Sequence, residues 1–168
     1  MMNNSITSNI IRFIVLLLVQ VIICNNINFL GYINPYVYVI FILLFPVNNN
    51  RLLFLILAFN LGLLVDIFLD SGGVHAGASI CLAYARPLFL KYAFGTMYDH
   101  QNLKFGHTDI GALIMYVSGC VIFHHLIVYY LEIFNISQVI LLLKKALFSS
   151  IFTVILCLLL ILLFKTRK

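Results

Sequence analysis

The sequence predicts an all-α integral membrane protein, in which six transmembrane helices form one bundle and a single domain over residues 1–168. Composition is the first observation: 64% of the residues are hydrophobic and 9% are charged, whereas soluble domains are about 45–50% apolar and about 25% charged. The mean hydropathy of +1.12 is the second. The third is that the apolar residues come in runs, most of them long enough to cross a bilayer.

Short polar turns divide these runs into six segments. Helices are predicted at about residues 10–29, 31–47, 52–70, 74–95, 109–134 and 139–164. Residues 1–9 are polar, so we expect a short cytoplasmic tail before the first helix. A cleaved signal peptide is disfavoured, because cleavage needs small residues before the cut and Ile23, which precedes Cys24, is large and β-branched.

The second segment is the least regular of the six. Pro35 is expected to open it, because proline is favoured at the first helical position. The apolar part that follows has only about 12 residues, which is short for a full span. Either the helix begins as far back as Leu30, or it is tilted or partly interfacial.

The later segments carry their own signals. The third is interrupted by Asn60, Gly62 and Asp66, and the fourth is rich in Ala, Gly and Ser, which lets helix backbones approach closely. Pro87 should kink or end the fourth helix. Asp109 suits the N-terminal dipole of the fifth.

Basic residues orient the bundle. With six spans, most of them fall on one side, which the positive-inside rule makes cytoplasmic. The opposite loops, around residues 25–35, 70–74 and 133–138, contain no Lys or Arg. Both termini are therefore expected in the cytoplasm of a bacterial cell, with the protein in the inner membrane. Only Lys144 and Lys145 do not fit this orientation, and their side chains can snorkel to the outer interface. The residues on the predicted cytoplasmic side are Arg12, Arg51, Arg86, Lys91, Lys104, Lys165, Arg167 and Lys168.

The net charge of +5 does not indicate nucleic-acid binding, because the basic residues are isolated or paired and form no phosphate-binding stripe. The cysteines each lie in an apolar run without a CxxC spacing. They are expected to act as small hydrophobes, with neither disulfides nor a metal. The four are Cys24, Cys81, Cys120 and Cys157.

The polar residues within the apolar runs are the candidates for function, since an ionisable group in a membrane helix is costly. Gly62, Asp66 and Asp70 are spaced i, i+4 and i+8, so they share nearly one helix face, and a contact between Asp66 and His75 is easy across the intervening turn. Two interpretations stay open: a polar hub that fixes two helices or receives a partner, and a helix end in the headgroup zone. Arg86, about three turns beyond His75, is expected to snorkel as a topology anchor.

The histidines offer weaker signals. His124 and His125 point about 100° apart on a helix, which favours satisfied interior residues over a metal pair. A metal site in the loop formed by Asp99, His100, His107 and Asp109 has no enforced ligand geometry. The sequence also has no Gly-x-Ser-x-Gly, HExxH or phosphate-loop motif. We therefore expect no enzyme activity, catalytic residue, metal or cofactor.

Three short stretches carry a resemblance to a known family. They are GLLVDIF at 62–68, GVHA at 73–76 and AYARP at 83–87. In this pattern the chain resembles MreD, the rod shape-determining membrane protein family, and most of all its Bacteroidetes-type members. Chain length, six predicted spans and a short basic tail agree with it across the whole chain. The motif residues carried over are Gly62, Asp66, His75, Arg86 and Pro87, to which the resemblance assigns helix packing and partner contact.

The resemblance also implies a function. MreD proteins are non-enzymatic inner-membrane components of the cell-elongation machinery that builds peptidoglycan and sets rod shape. They bind an MreC-like protein and through it act indirectly with MreB, RodA and a class B penicillin-binding transpeptidase. Their fold is similar to that of the six-helix substrate-binding subunits of ECF vitamin transporters. The alternative is therefore a small-molecule-binding transporter subunit, which predicts a closed polar pocket near the outer face.

Overall fold

The computed structural model describes residues 2–27, 34–47, 50–95, 108–132 and 139–163. All regular secondary structure within these ranges is helical. Four helices are long and apolar enough to cross a membrane, so the chain is a membrane-embedded α-helical protein. The four candidate spans are Thr7–Asn26, Arg51–Leu69, Ile110–Glu132 and Leu143–Leu163.

We number the α-helices in chain order. They are α1 (Met2–Ile22), α2 (Val39–Leu44), α3 (Arg51–Leu69), α4 (Val74–Phe94), α5 (Ile110–Glu132) and α6 (Val139–Leu163), with a 3-10 turn at Cys24–Asn26. The bounds of α3 to α6 differ from the sequence expectation by no more than two residues at either end. Asp109 lies at the N-terminus of α5, as its suitability for the helix dipole predicted, and its Oδ2 also caps the helix by accepting a hydrogen bond from the Ala112 N–H at 3.0 Å.

The first helix begins earlier than expected. The polar tail predicted over residues 1–9 is helical from Met2 onward. This stretch contains neither proline nor glycine, so nothing in it interrupts the hydrogen-bond ladder that continues into the apolar part.

The second segment is not a spanning helix. Its α-helix covers only Val39–Leu44, six residues, which is far too short to cross a bilayer. Pro35 therefore does not open the helix. The whole stretch from Pro35 to Leu43 is buried, and Tyr38, Val39 and Ile42 have no exposed surface. Residues 34–45, which we call the central segment, lie inside the bundle.

Irregular backbone in a bundle interior needs hydrogen-bond partners, because no lipid group can supply them. Side chains from two long helices provide these partners. On α6, Ser149 Oγ accepts from the Asn34 N–H at 3.3 Å, and Thr153 Oγ1 accepts from the Tyr36 N–H at 3.2 Å. Gln20 of α1 accepts from the Tyr38 N–H at 3.3 Å and donates to the Pro35 carbonyl at 3.1 Å. The central segment is therefore held by polar side chains of helices distant in sequence.

The long helices pack around this segment in chain order, with α3 against α4, α4 against α5 and α5 against α6, while α1 contacts α2 and α3. Pro87 does not end α4, which continues to Phe94. The α4 helix falls outside the four candidate spans because it is less apolar than they are. The described residues therefore confirm a helical protein with four candidate spans, and they do not confirm a bundle of six.

Candidate functional site

Asp66 binds the start of the neighbouring helix. Its Oδ1 accepts from the His75 N–H at 2.9 Å, and its Oδ2 accepts from the Ala76 N–H at 2.8 Å. Ser71 Oγ also donates to Oδ1. These amides are among the N–H groups that an α-helix leaves unpaired at its first turn, and a carboxylate there also meets the positive end of the helix dipole. Asp66, only 4% exposed, is thus the N-terminal cap of α4 supplied by α3.

Gly62 lies one turn before Asp66 and lets the two helices meet. A Cβ atom at this position would stand 2.5 Å from the His75 carbonyl oxygen and 2.7 Å from the Ala76 Cα. Real Cβ atoms do not approach backbone so closely, so only glycine fits between α3 and the first turn of α4. The expected contact between Asp66 and His75 exists, and it runs through the His75 backbone.

The His75 side chain takes part in a separate buried network. Its Nδ1 lies 3.1 Å from the Tyr38 hydroxyl, which in turn lies 2.8 Å from His124 Nε2. The Tyr36 ring packs edge-on against the His75 ring, with centroids 4.8 Å apart. The central segment thereby joins α4 to α5 through its tyrosines.

Arg86 is buried, which corrects the expectation that it snorkels to the membrane surface. It donates to the carbonyls of Leu43, at 3.1 Å, and Phe45, and to the Tyr116 hydroxyl at 3.0 Å. The Phe54 ring lies against its guanidinium, 5.2 Å from centroid to carbon. Only 3% of the side chain is exposed. We call this group, Arg86 with Tyr116 and the two carbonyls, the Arg86 cluster.

The Arg86 cluster terminates α2. The last carbonyls of a helix have no partner within it, and a cation there complements the negative end of the dipole. Tyr116 adds a second donor, 2.9 Å from the Leu43 carbonyl, and Arg12 of α1 donates to the Leu44 carbonyl at 3.3 Å. An arginine suits this position because its planar fork presents several donors in fixed directions.

The two adjacent histidines of α5 are interior residues, as expected. Neither has exposed surface. His125 is bonded on both nitrogens, through Nδ1 to the Val121 carbonyl at 2.9 Å and through Nε2 to Thr153 Oγ1 at 3.1 Å. His124 uses only Nε2, toward Tyr38, and no described residue bonds its Nδ1.

Sequence reasoning missed the role of the polar residues that bind the central segment. In the sequence each of these residues is an isolated polar side chain in an apolar run, with nothing to indicate its partner; they are Gln20, Tyr38, Tyr116 and Thr153. The available signal was the cost of such groups in lipid, which requires a partner inside the bundle. Pro87, the remaining motif residue, is half-buried in α4, and no contact in the structure explains its identity.

A polar cleft of about 370 Å³ opens beside the cap of α4. Its buried floor consists of Gln20, Cys24, Tyr36 and His75. Its rim carries the more exposed side chains of Asn25, Asn34, Asp70, Ser71 and Glu132. Volumes of this size are typical of small-molecule sites, which range over about 300–1,000 Å³. We refer to it below as the cleft.

Metal-binding groups do not gather in the parts of the chain that the structure describes. Of the proposed loop ligands, Asp99, His100 and His107 lie outside the described residues, and Asp109 is committed to capping α5. All four cysteines are free thiols, with Cys81 exposed and the other three buried.

Comparison with known proteins gives no match: no protein-family model, no curated protein and no solved structure is similar to the chain at a significant level.

Proposed function

We propose that this protein is an MreD-like, non-enzymatic scaffold of the bacterial cell-elongation machinery, which acts in the inner membrane by binding an MreC-like partner. The proposal starts from the resemblance of residues 62–68, 73–76 and 83–87 to that family. It also includes the topology indicated by the basic residues, with both termini in the cytoplasm.

The observation that carries the proposal is what the motif residues do. Gly62 permits the contact between α3 and α4, Asp66 caps α4, and Arg86 holds the end of α2. Each of these residues contacts the backbone of another element. The charged groups of Asp66 and Arg86 form hydrogen bonds with the unpaired backbone groups at helix termini. Residues used in this way maintain a fixed helical surface for a partner. They are not arranged to attack a substrate.

Co-purification is the experiment that tests this function. A tagged copy of the chain is extracted in mild detergent from cells that also express the MreC-like protein of the same genome. We expect the two to elute together in a fixed ratio. An unrelated multi-pass membrane protein with the same tag is the control. Recovery of the chain alone, with the partner present and folded in the same extract, would contradict the proposal.

Depletion gives an independent test in cells. Loss of an elongation scaffold should turn rod-shaped cells round, while re-expression should restore their shape. Cells that remain rods after the protein has disappeared from the membrane would count against the scaffold role.

A second candidate function is favoured by the cleft. A small-molecule-binding subunit is expected to have a closed polar pocket near the outer face. The cleft is polar and lies at the end of the bundle whose loops lack basic residues, although it is open and not a closed cavity. A ligand that survives purification in detergent would support this function, as would uptake that depends on the protein.

A further inference from the structure

One nitrogen on the floor of the cleft has no partner among the described residues. His75 is 97% buried, with 3% of its surface exposed, and its Nδ1 is bonded to the Tyr38 hydroxyl. Among the described residues nothing bonds its Nε2, and this atom is not one of the sealed, unsatisfied atoms of the interior, which are Ser79 Oγ and His124 Nδ1. Nε2 therefore reaches the cleft that His75 lines.

The Tyr38 network determines what this nitrogen offers. If His124 Nε2–H donates to the Tyr38 oxygen and the Tyr38 hydroxyl donates to His75 Nδ1, both hydrogen bonds of this network have a donor and His124 keeps no unpaired N–H. The reverse direction would leave a proton on His124 Nδ1, buried without an acceptor. Orphaned buried N–H groups are rarer and costlier than orphaned acceptors. The favoured arrangement puts the proton of His75 on Nε2, where it can donate into the cleft.

The rim has the opposite character. Asp70 and Glu132 are exposed carboxylates, and neither forms an ion pair with a described residue. In the described part of the chain no basic side chain lines the cleft, and the neighbouring loops 25–35, 70–74 and 133–138 contain none in sequence. The nearest basic pair along α6, at 144 and 145, comes one turn before Ser149 and does not line the cleft. The rim therefore favours a cation.

We propose that the cleft binds a small organic amine, with an acceptor oxygen of the ligand on His75 Nε2–H and its ammonium group between Asp70 and Glu132. The wall between floor and rim, formed by Leu69, Val74 and Val128, suits an apolar middle part of the ligand. This site is separate from the scaffold role, because it uses none of the groups that hold α3, α4 and α2 together except the His75 ring.

Tyramine is a probe that carries all three features: a phenol oxygen, an apolar ring and a primary ammonium. Radiolabelled tyramine is equilibrated with the full-length protein in detergent, and unlabelled compounds compete for the site. We expect saturable binding of one molecule per chain. Phenethylamine, which lacks the oxygen, should need a concentration about tenfold higher or more to displace tyramine, because it leaves the buried N–H of His75 unpaired. The anion 4-hydroxyphenylacetate should not compete.

Variants of the rim provide the protein-side test. Asp70→Asn combined with Glu132→Gln should weaken tyramine binding roughly tenfold, since each exposed carboxylate contributes a factor of about two to five. Asp109→Asn is the control for the loss of a carboxylate far from the cleft: it removes one negative charge, as each rim substitution does, and keeps a side chain able to cap α5. Its affinity for tyramine should equal that of the unaltered protein.

Three results would overturn the proposal: no saturable binding at millimolar tyramine, equal competition by phenethylamine or by 4-hydroxyphenylacetate, or an equal loss in the Asp109→Asn control. None of these bears on co-purification with an MreC-like partner. Failure of the cleft proposal is therefore distinguishable from failure of the scaffold function.

Discussion

The Arg86 cluster and the cleft are both built from buried polar side chains, but those of the cluster are hydrogen-bonded within the protein, whereas one nitrogen at the cleft has no partner among the described residues. Both bring polar side chains of the long helices against the central segment. In the Arg86 cluster the guanidinium and the Tyr116 hydroxyl donate hydrogen bonds to the carbonyls of Leu43 and Phe45. At the cleft, His75 satisfies Tyr38 with one nitrogen and presents the other to the cavity.

This difference teaches how to separate architecture from binding in a membrane bundle. A buried polar group is costly in either place, so burial alone does not distinguish the two roles. What distinguishes them is whether each polar atom of the side chain already has a hydrogen-bond partner within the protein. Substitutions in the Arg86 cluster or at the cap of α4 should therefore change stability, and substitutions on the cleft rim should change binding while leaving stability intact.

The largest effect is expected from Arg86→Leu. The variant leaves the Phe45 carbonyl without a donor and removes a bond to Leu43, at a cost of about 2–4 kcal/mol in free energy of unfolding. Thermal unfolding in detergent, followed by circular dichroism because the chain has no tryptophan, should show a clearly lower Tm. Arg86→Lys keeps the charge without the planar fork and should fall in between. Unchanged unfolding of the leucine variant would refute the structural role of this cluster.

Asp66→Ala should come next. It removes the acceptor for two amides of the first turn of α4, His75 and Ala76, and we expect a loss of about 2 kcal/mol, at the upper end for a helix cap. Asp66→Asn keeps one acceptor oxygen and should lose about half as much. Chemical denaturation of the three proteins in the same micelles measures this order. An alanine variant as stable as the unaltered protein would show that the cap contributes nothing.

Gly62→Ala should destabilise by about 1–3 kcal/mol, because the added methyl meets backbone of α4 and the two helices must separate. Gly77→Ala is the matched control within α4. Its Cβ would meet only the Leu131 Cδ1 atom at 3.2 Å, a side-chain end that can move, and alanine gains up to about 1 kcal/mol of helix propensity. Equal losses at the two glycines, compared by Tm, would mean that close approach of α3 and α4 is not what Gly62 provides.

The smallest effect on stability is expected at the cleft rim. Asp70 is exposed and has a left-handed backbone conformation with φ of 53°, which asparagine also tolerates. Asp70→Asn and Glu132→Gln should each change the free energy of unfolding by less than about 0.5 kcal/mol. A loss comparable to that of Asp66→Ala would place the rim in the architecture and end the contrast with the Arg86 cluster.

The sequence predicted the helical membrane class and the course of α3 to α6, because these features depend on local hydrophobicity and on breakers between segments. It also brought Asp66 and His75 together, since only a short turn separates them. The kind of contact was not predicted, however: Asp66 binds backbone amides, a detail that depends on how closely Gly62 lets α4 approach.

The central segment and Arg86 could not be predicted in this way. Whether residues 34–45 span the membrane or lie inside the bundle depends on donors and acceptors far away in sequence. Arg86 reaches carbonyls 41 and 43 residues earlier in the chain, and Thr153 lies 117 residues after Tyr36. Hydropathy and spacing contain no record of such pairings. From its neighbours in sequence alone, Arg86 was interpreted as a topology anchor.

Thiol labelling of the intact protein tests the contrast most directly. Val74→Cys lines the cleft, in a background where Cys24 and Cys81 are replaced by serine and Cys157 by alanine. Native Cys120, fully buried one turn from Tyr116, reports on the Arg86 cluster. Cationic and anionic methanethiosulfonates are compared, each normalised to its rate with free cysteine. We expect labelling at position 74, faster with the cation, and none at Cys120 in the folded protein. Equal rates for the two reagents, or labelling of Cys120 as fast as position 74, would contradict the account.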